Sequence, residues 1–225
     1  MSLIMVTNLV RPGMRSARAD VRAMEKGSDE NQKYGLPFNA FYMKVLGISG
    51  SPRTGGNTEY AVRYVIDDIR SRLPKAEVEF LRITDFKIEH CRGCRYCMNA
   101  GECIIKGDDL NLLMEKMLSA DLIVIGAPIY WYGPPGVLKD FIDRTHGFYP
   151  DNKRLAGKKV ALISVAATSG YPSHEKTMGW LEYYGAEYVA KVRLEAREID
   201  ELKDKTNQIK KLHNLTNSLA LQLSR

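Results

Sequence analysis

No apolar run in the 225 residues approaches the length of a bilayer crossing. The longest, Leu122-Ile-Val-Ile-Gly-Ala-Pro-Ile129, falls far short of the ~20 residues a membrane helix needs, so no membrane span is expected. A secretory leader is not expected either. The apolar residues Leu3, Ile4, Met5 and Val6 follow no basic stretch and precede no small-residue cleavage site. Internal repeats and low-complexity tracts are missing. With 44% hydrophobic and 27% charged residues, the disordered, collagen-like and mucin-like classes fall away and a soluble globular chain is expected. Charge of one sign is in small surplus, +6, and it sits at the ends. Residues 1–43 carry six basic and four acidic side chains, and residues 191–225 carry eight and five. The signs alternate (Arg197, Glu198, Asp200, Glu201, Lys203, Asp204, Lys205), which marks a solvated helix face and no nucleic-acid surface.

Several catalytic signatures are also missing. The first glycine-rich loop lacks the Gly-Lys-Ser/Thr ending of a nucleoside-triphosphatase loop and the Gly-x-Gly-x-x-Gly spacing of a dinucleotide fingerprint. No serine, histidine and acid stand in recognisable loop context, so hydrolase chemistry is unsupported. His90, His146 and His174 read as structural residues, and Asp108 and Asp109 as caps of the following helix.

From residue 44 onward, strand-like and helix-like segments alternate with the rhythm of βαβ units. Strands are expected at Lys44–Ser49, Glu77–Arg82, Asp121–Gly126, Lys158–Val165 and Glu187–Leu194. Helices are expected at Thr58–Arg72, Asp109–Ser119, Pro135–His146, Glu175–Tyr184 and Glu198–Leu223. This is an α/β chain: a doubly wound five-stranded parallel sheet with helices on both faces. Residues 1–43 read as an N-terminal extension, and 44–225 as one domain with a cysteine loop inserted at 84–108. The extension is open to three readings: a surface segment, residues from an upstream start, or an arm that packs on a partner subunit.

Three loops fall at the carboxyl edge of this sheet, where open parallel sheets bind ligands. Gly50-Ser-Pro-Arg-Thr-Gly-Gly-Asn-Thr58 leads into a helix and offers backbone N–H groups, hydroxyls and a positive dipole end. Ser51, Asn57 and Thr58 suit a phosphate monoester; the plainer alternative is a turn in which Asn57 or Thr58 caps the helix. Pro128-Ile129-Tyr130-Trp131-Tyr132-Gly133 sets three aromatics in a row, a wall for a planar ring or a packing surface under the next helix. Thr168, Ser169 and Gly170 lie on a third loop whose small residues allow close approach to a ligand.

All four cysteines lie within thirteen residues, as Cys91-x2-Cys94-x2-Cys97-x5-Cys103. A disulfide framework spreads its cysteines, so free thiols in a reducing, cytoplasmic compartment are expected. A zinc site draws on two separated Cys-x2-Cys pairs, which the chain lacks. The compact spacing favours a [4Fe–4S] cluster, with zinc and unmetallated redox thiols as the alternatives.

The loops at 50–58 and 127–133 resemble the flavin-binding loops of the NAD(P)H-dependent FMN reductase group of the flavodoxin-like fold. The cysteine run resembles, more narrowly, the iron–sulfur flavoproteins. The resemblance spans about residues 44–195. It implies FMN, its phosphate on Ser51, Arg53, Asn57 and Thr58 and its ring on 128–133 and 168–170. It also implies a homodimer or dimer of dimers. No side chain is assigned a catalytic role; the expected protein exchanges electrons between FMN and a [4Fe–4S] cluster, from ferredoxin or NAD(P)H to a small acceptor. The rivals are an FMN-only reductase of quinones, azo compounds or flavin, and a non-catalytic electron carrier.

Overall fold

The computed structural model describes residues 43–223, so the expected N-terminal extension lies outside the described residues. Along the chain run β1 (Lys44–Ser49), α1 (Asn57–Arg72), β2 (Glu77–Arg82), α2 (Cys97–Ala100), α3 (Leu110–Ser119), β3 (Leu122–Pro128) and α4 (Gly136–Arg144). Then follow β4 (Lys159–Ala166), α5 (Tyr171–Met178), β5 (Glu187–Glu195), α6 (Glu201–Asp204) and α7 (Thr206–Leu223). The strands order as β2-β1-β3-β4-β5, every pair parallel, which is the flavodoxin-like order with its switch point between β1 and β3.

Alternation along the strands divides the core between two faces. Leu46, Ile48, Ile123, Ile125, Val160 and Leu162 pack with Leu113, Met117, Leu138 and Phe141 of α3 and α4. On the other face α1 buries Thr58, Ala61, Val62, Val65, Ile66 and Ile69, the spacing of one helical stripe. That stripe sits close to the sheet because the strand positions beneath it are small. A Cβ built on Gly126 would stand 2.5 Å from Val62 and 3.0 Å from Thr58. Helix α7 packs on β5 and on α1 through Leu212, Leu215, Leu219 and Leu223.

Three expected helices are corrected. The helix expected over Glu198–Leu223 is two, because Asp200 takes a left-handed φ of 66° and the chain turns again at Lys205 between α6 and α7. The one expected at Glu175–Tyr184 starts earlier, at Tyr171, where left-handed Gly170 and Pro172 open it, and it tightens into a 3₁₀ turn at Gly179–Tyr184. The one expected at Pro135–His146 ends at Arg144 and continues as a 3₁₀ turn through Phe148. Among the described residues no helix is long and apolar enough to cross a membrane.

Candidate flavin and cysteine sites

Backbone hydrogen bonds tie the loops beyond the carboxyl edge to one another. The Gly50 N–H donates to Gly126 O (2.7 Å), Ile129 N–H to Val165 O (2.8 Å) and Ala196 N–H to Ala166 O (3.0 Å). Over this edge opens a cavity of about 380 Å³, within the size range of cofactor sites. Ser51, Arg53, Gly56, Asn57 and Thr58 line one side, and Pro128, Ile129 and Tyr130 another. Val165, Ala166, Ala167, Ala196, Arg197 and Ile199 complete it.

The loop after β1 ends at Gly56, the cap position of α1, so the first N–H groups of that helix have no acceptor within it. Asn57 is the first helical residue and not the cap. Its Nδ2–H donates to Glu198 O (2.7 Å), while its Oδ1 accepts from the Leu202 N–H (3.1 Å). Ser51 Oγ accepts from the Arg53 N–H (3.1 Å), and Glu59 Oε2 accepts from the Gly55 N–H (2.9 Å). Glu59 is also paired with Arg63, so its carboxylate is engaged on α1. Among the described residues, the cations on the cavity wall are Arg53 and Arg197.

The aromatic run is only partly a wall. Tyr130 and Gly133 exchange hydrogen bonds (2.9 and 3.0 Å), closing a two-residue turn with Trp131 at φ 49° and Tyr132 at φ 67°. Positive φ at both central residues is the type I′ pattern, which favours asparagine and glycine and strains bulky side chains. Trp131 is 96% exposed, and neither it, Tyr132 nor Gly133 lines the cavity. Thr168, Ser169 and Gly170 follow the lining residue Ala167 in sequence and do not line the cavity themselves. Gly170, at φ 95°, lies against Ile129 and Tyr132; a Cβ there would meet them at 3.0 and 3.2 Å.

The cysteine loop leaves a 3₁₀ turn at Ile83–Asp85, after β2, and returns at α3. Its neck is closed by the Asp109 N–H donating to Lys87 O (2.9 Å), the Lys87 N–H to Asp109 Oδ2 (2.8 Å) and the Glu89 N–H to Asp108 Oδ2 (3.0 Å). Cys91 and Cys94 are exposed, and Cys97 and Cys103 are half-buried free thiols. Burial, and then the charges of Cys103, Cys91 and Cys94, push the Cys97 thiol up, so the three other sulfurs lie within electrostatic reach of Cys97. Among the described residues, no three His, Cys, Asp or Glu side chains converge on a single-ion cage.

The loop lies along α4. Asp140 of α4 pairs with exposed His90 (2.8 Å), whose imidazole is raised by that hydrogen bond and charge. Buried Arg144 at the end of α4 pairs with Asp108. Burial opposes both charges, but their mutual hydrogen bonds prevail, raising Arg144 and holding Asp108 below the usual carboxylate range. Asp108 therefore does more than cap α3, although its Oδ1 does accept from the Leu110 N–H at 3.4 Å.

Sequence reasoning missed Arg197, Ile199 and Arg144. The first two sit in a run of alternating charge that reads as solvated surface. Arg144 looks like an ordinary basic residue in a helix's last turn.

A parallel 2-1-3-4-5 sheet with an open cavity over its switch point defines the class: a flavodoxin-like protein with a cofactor-sized site at the strand ends. A sequence model of the NADPH-dependent FMN reductase family matches residues 43–196. An iron–sulfur flavoprotein of Methanocaldococcus jannaschii is 40% identical over 115 residues, 49% of this chain and 58% of that protein. One from Methanosarcina thermophila is 32% identical over 147 residues, 64% of this chain and 75% of that protein. A solved NADH:FMN oxidoreductase (EMOB, apo form) superposes with a TM-score of 0.61 at 18% identity, covering 81% of this chain and 90% of that one; it shows the fold alone. The chain belongs to the NADPH-dependent FMN reductase family and, within it, to the iron–sulfur flavoproteins. It spans less than two thirds of the length of the first curated relatives it matches, 58% to 65% of each.

Proposed function

We propose that this protein is an FMN-dependent oxidoreductase with a [4Fe–4S] cluster, passing electrons from ferredoxin or NAD(P)H to a small acceptor. The observation that carries the reading is the pairing of two features on one fold. One is a cavity fed by the N-terminus of α1 at the sheet's switch point; the other is a loop bearing four free thiols within thirteen residues.

The residues fit the flavin. The orphan N–H groups at the start of α1, the Ser51 and Thr58 hydroxyls and the Arg53 and Arg197 guanidinium groups offer a phosphate donors and positive charge. Pro128, Ile129 and Tyr130 give an apolar side for a ring, and the Trp131–Tyr132 turn beside them, with Thr168, Ser169 and Gly170, is assigned to the same ring. Asn57 acts at one remove, by holding the segment that carries Arg197 and Ile199. Bound FMN supplies the exchange of hydride for single electrons, and the protein supplies binding, orientation and electrostatics.

The residues also fit the cluster. Cys91, Cys94, Cys97 and Cys103 are the donor set, four soft thiolates on one loop, one for each iron of a cubane. The neck at 87–89 and 108–109 holds the loop's two ends together. Assembly as a homodimer or a dimer of dimers belongs to the same reading.

Anaerobic purification with flavin, iron and sulfide quantified tests it. One FMN with four irons and four sulfides per chain is expected. Zinc without sulfide replaces the reading by an FMN-only reductase, and absence of flavin removes both. Turnover of NAD(P)H with an artificial acceptor separates the enzyme from a non-catalytic carrier.

A further inference from the structure

One buried cation grips the cysteine loop on both sides of its thiols. The Arg144 side chain has 0% exposure and that of its partner Asp108 has 4%. Nη1 donates to Asp108 Oδ2 and to Glu89 O (3.1 Å), two residues before Cys91. Nη2 donates to Asp108 Oδ1 (3.3 Å), to Ile105 O (3.2 Å), two residues after Cys103, and to Cys103 Sγ itself (3.5 Å). A desolvated guanidinium is expensive, and the paired bonds between Lys87 and Asp109 already close the loop without it. Loop closure alone does not account for an N–H placed on a sulfur.

Hydrogen bonds to cluster sulfurs favour the reduced, more negative state and so raise the reduction potential. A guanidinium does this while holding a carboxylate, which one lysine ammonium cannot reproduce in the same fork. Arg92 and Arg95 are exposed on the same loop, so their charges are screened by water.

We infer that Arg144 is a positioning residue for the cluster: it orients Cys103 and, through the Nη2–H···Sγ bond, raises the cluster's reduction potential. The inference rests on the [4Fe–4S] reading above. It makes Cys103 electronically distinct from the three other ligands.

Full-length protein is purified anaerobically as wild type, Arg144→Lys and Arg95→Gln, and titrated redox-wise under electron paramagnetic resonance. Arg144→Lys is expected to keep its FMN and to lower the cluster's reduction equilibrium constant at least tenfold, about 59 mV for one electron. Its signal shape is expected to change, and Arg95→Gln is expected to stay within threefold of wild type. If Arg144→Lys does not take up iron, Arg144→Gln with Asp108→Asn, which removes both buried charges together, is measured in its place with the same expectation. An iron-loaded Arg144 variant within threefold of wild type overturns the inference. So does an Arg95→Gln shift as large as that of Arg144→Lys. Wild-type protein without iron and sulfide overturns the cluster reading itself, a distinguishable result.

Discussion

Asn57 joins two parts of the cavity wall that lie 141 residues apart in sequence, and replacing it should open one of them. Asn57→Ala removes the bond to Glu198 O (2.7 Å) and the bond from the Leu202 N–H (3.1 Å). At about 0.5–1.5 kcal/mol net each, the segment around residues 197–202 loses about 1–3 kcal/mol of what holds it to α1. Leu202 is fully buried and keeps α6 seated, so the loss is expected as local opening and not global unfolding. On that scale the opening equilibrium rises about 5- to 150-fold. Arg197 and Ile199 ride on this segment, so the FMN dissociation constant should rise by up to the same factor. Hydrogen exchange over 196–204 reads the opening, and quenching of flavin fluorescence reads the affinity. Asn57→Asp, which keeps the acceptor and loses the donor, should fall between. Unchanged exchange together with FMN affinity within threefold of wild type refutes the argument.

Trp131→Asn with Tyr132→Gly should stabilise the flavin-free protein by about 1–2 kcal/mol, since left-handed φ costs bulky residues roughly that much, while weakening FMN binding. A lower melting temperature in the double variant counts against strain at this turn. Gly126→Ala places a methyl 2.5 Å from Val62 and should cost about 1–3 kcal/mol in urea unfolding by pushing α1 off the sheet. An unchanged midpoint means the helix does not sit as described. His174 is buried beside Ser164 Oγ (3.1 Å), and burial lowers its pKa from 6.5 to about 4. Between those values the unfolded chain holds the extra proton, so stability is full above pH 6.5 and falls as pH drops towards 4. The total loss is about 3 kcal/mol. His174→Gln should flatten that slope; a slope equal to wild type assigns it elsewhere.

What was legible in the sequence was what depends on near neighbours. Lys44–Ser49 and Glu77–Arg82 stand as read, and the other three strands begin or end within a residue or two of their expected bounds. Apolar runs punctuated by loops leave few other ways to bury a parallel sheet. The loop at 50–58 was legible for the same reason: glycines, hydroxyls and a following helix are all local. The helix ends were not. Nothing in Glu198-Ile-Asp-Glu-Leu announces that Asp200 takes a left-handed φ, because the cause is tertiary: Asn57 holds the Glu198 carbonyl and the Leu202 N–H.

The same physical distinction separates the site residues that were found from those that were missed. Cysteines declare themselves, because a thiol has few reasons to recur three times in seven residues on an exposed loop. An arginine does not, since its meaning depends on desolvation. At the end of α4, position 144 reads as a favourable charge for the helix dipole, as Lys139 with Asp143 reads as a surface pair. Its burial arises only when Asp108, 36 residues earlier, folds over it and Cys103 comes within reach of Nη2. Asn57 follows the same rule in reverse. Its place in the loop suggested a direct ligand for phosphate; it lines the cavity, and its amide also holds a distant segment through one N–H and its oxygen. The residues proposed as cofactor ligands are thus written locally, while those proposed to hold them in place are written as long-range pairs. Variants at Asn57 and Arg144 should consequently alter affinity and potential where variants at the ligands abolish binding.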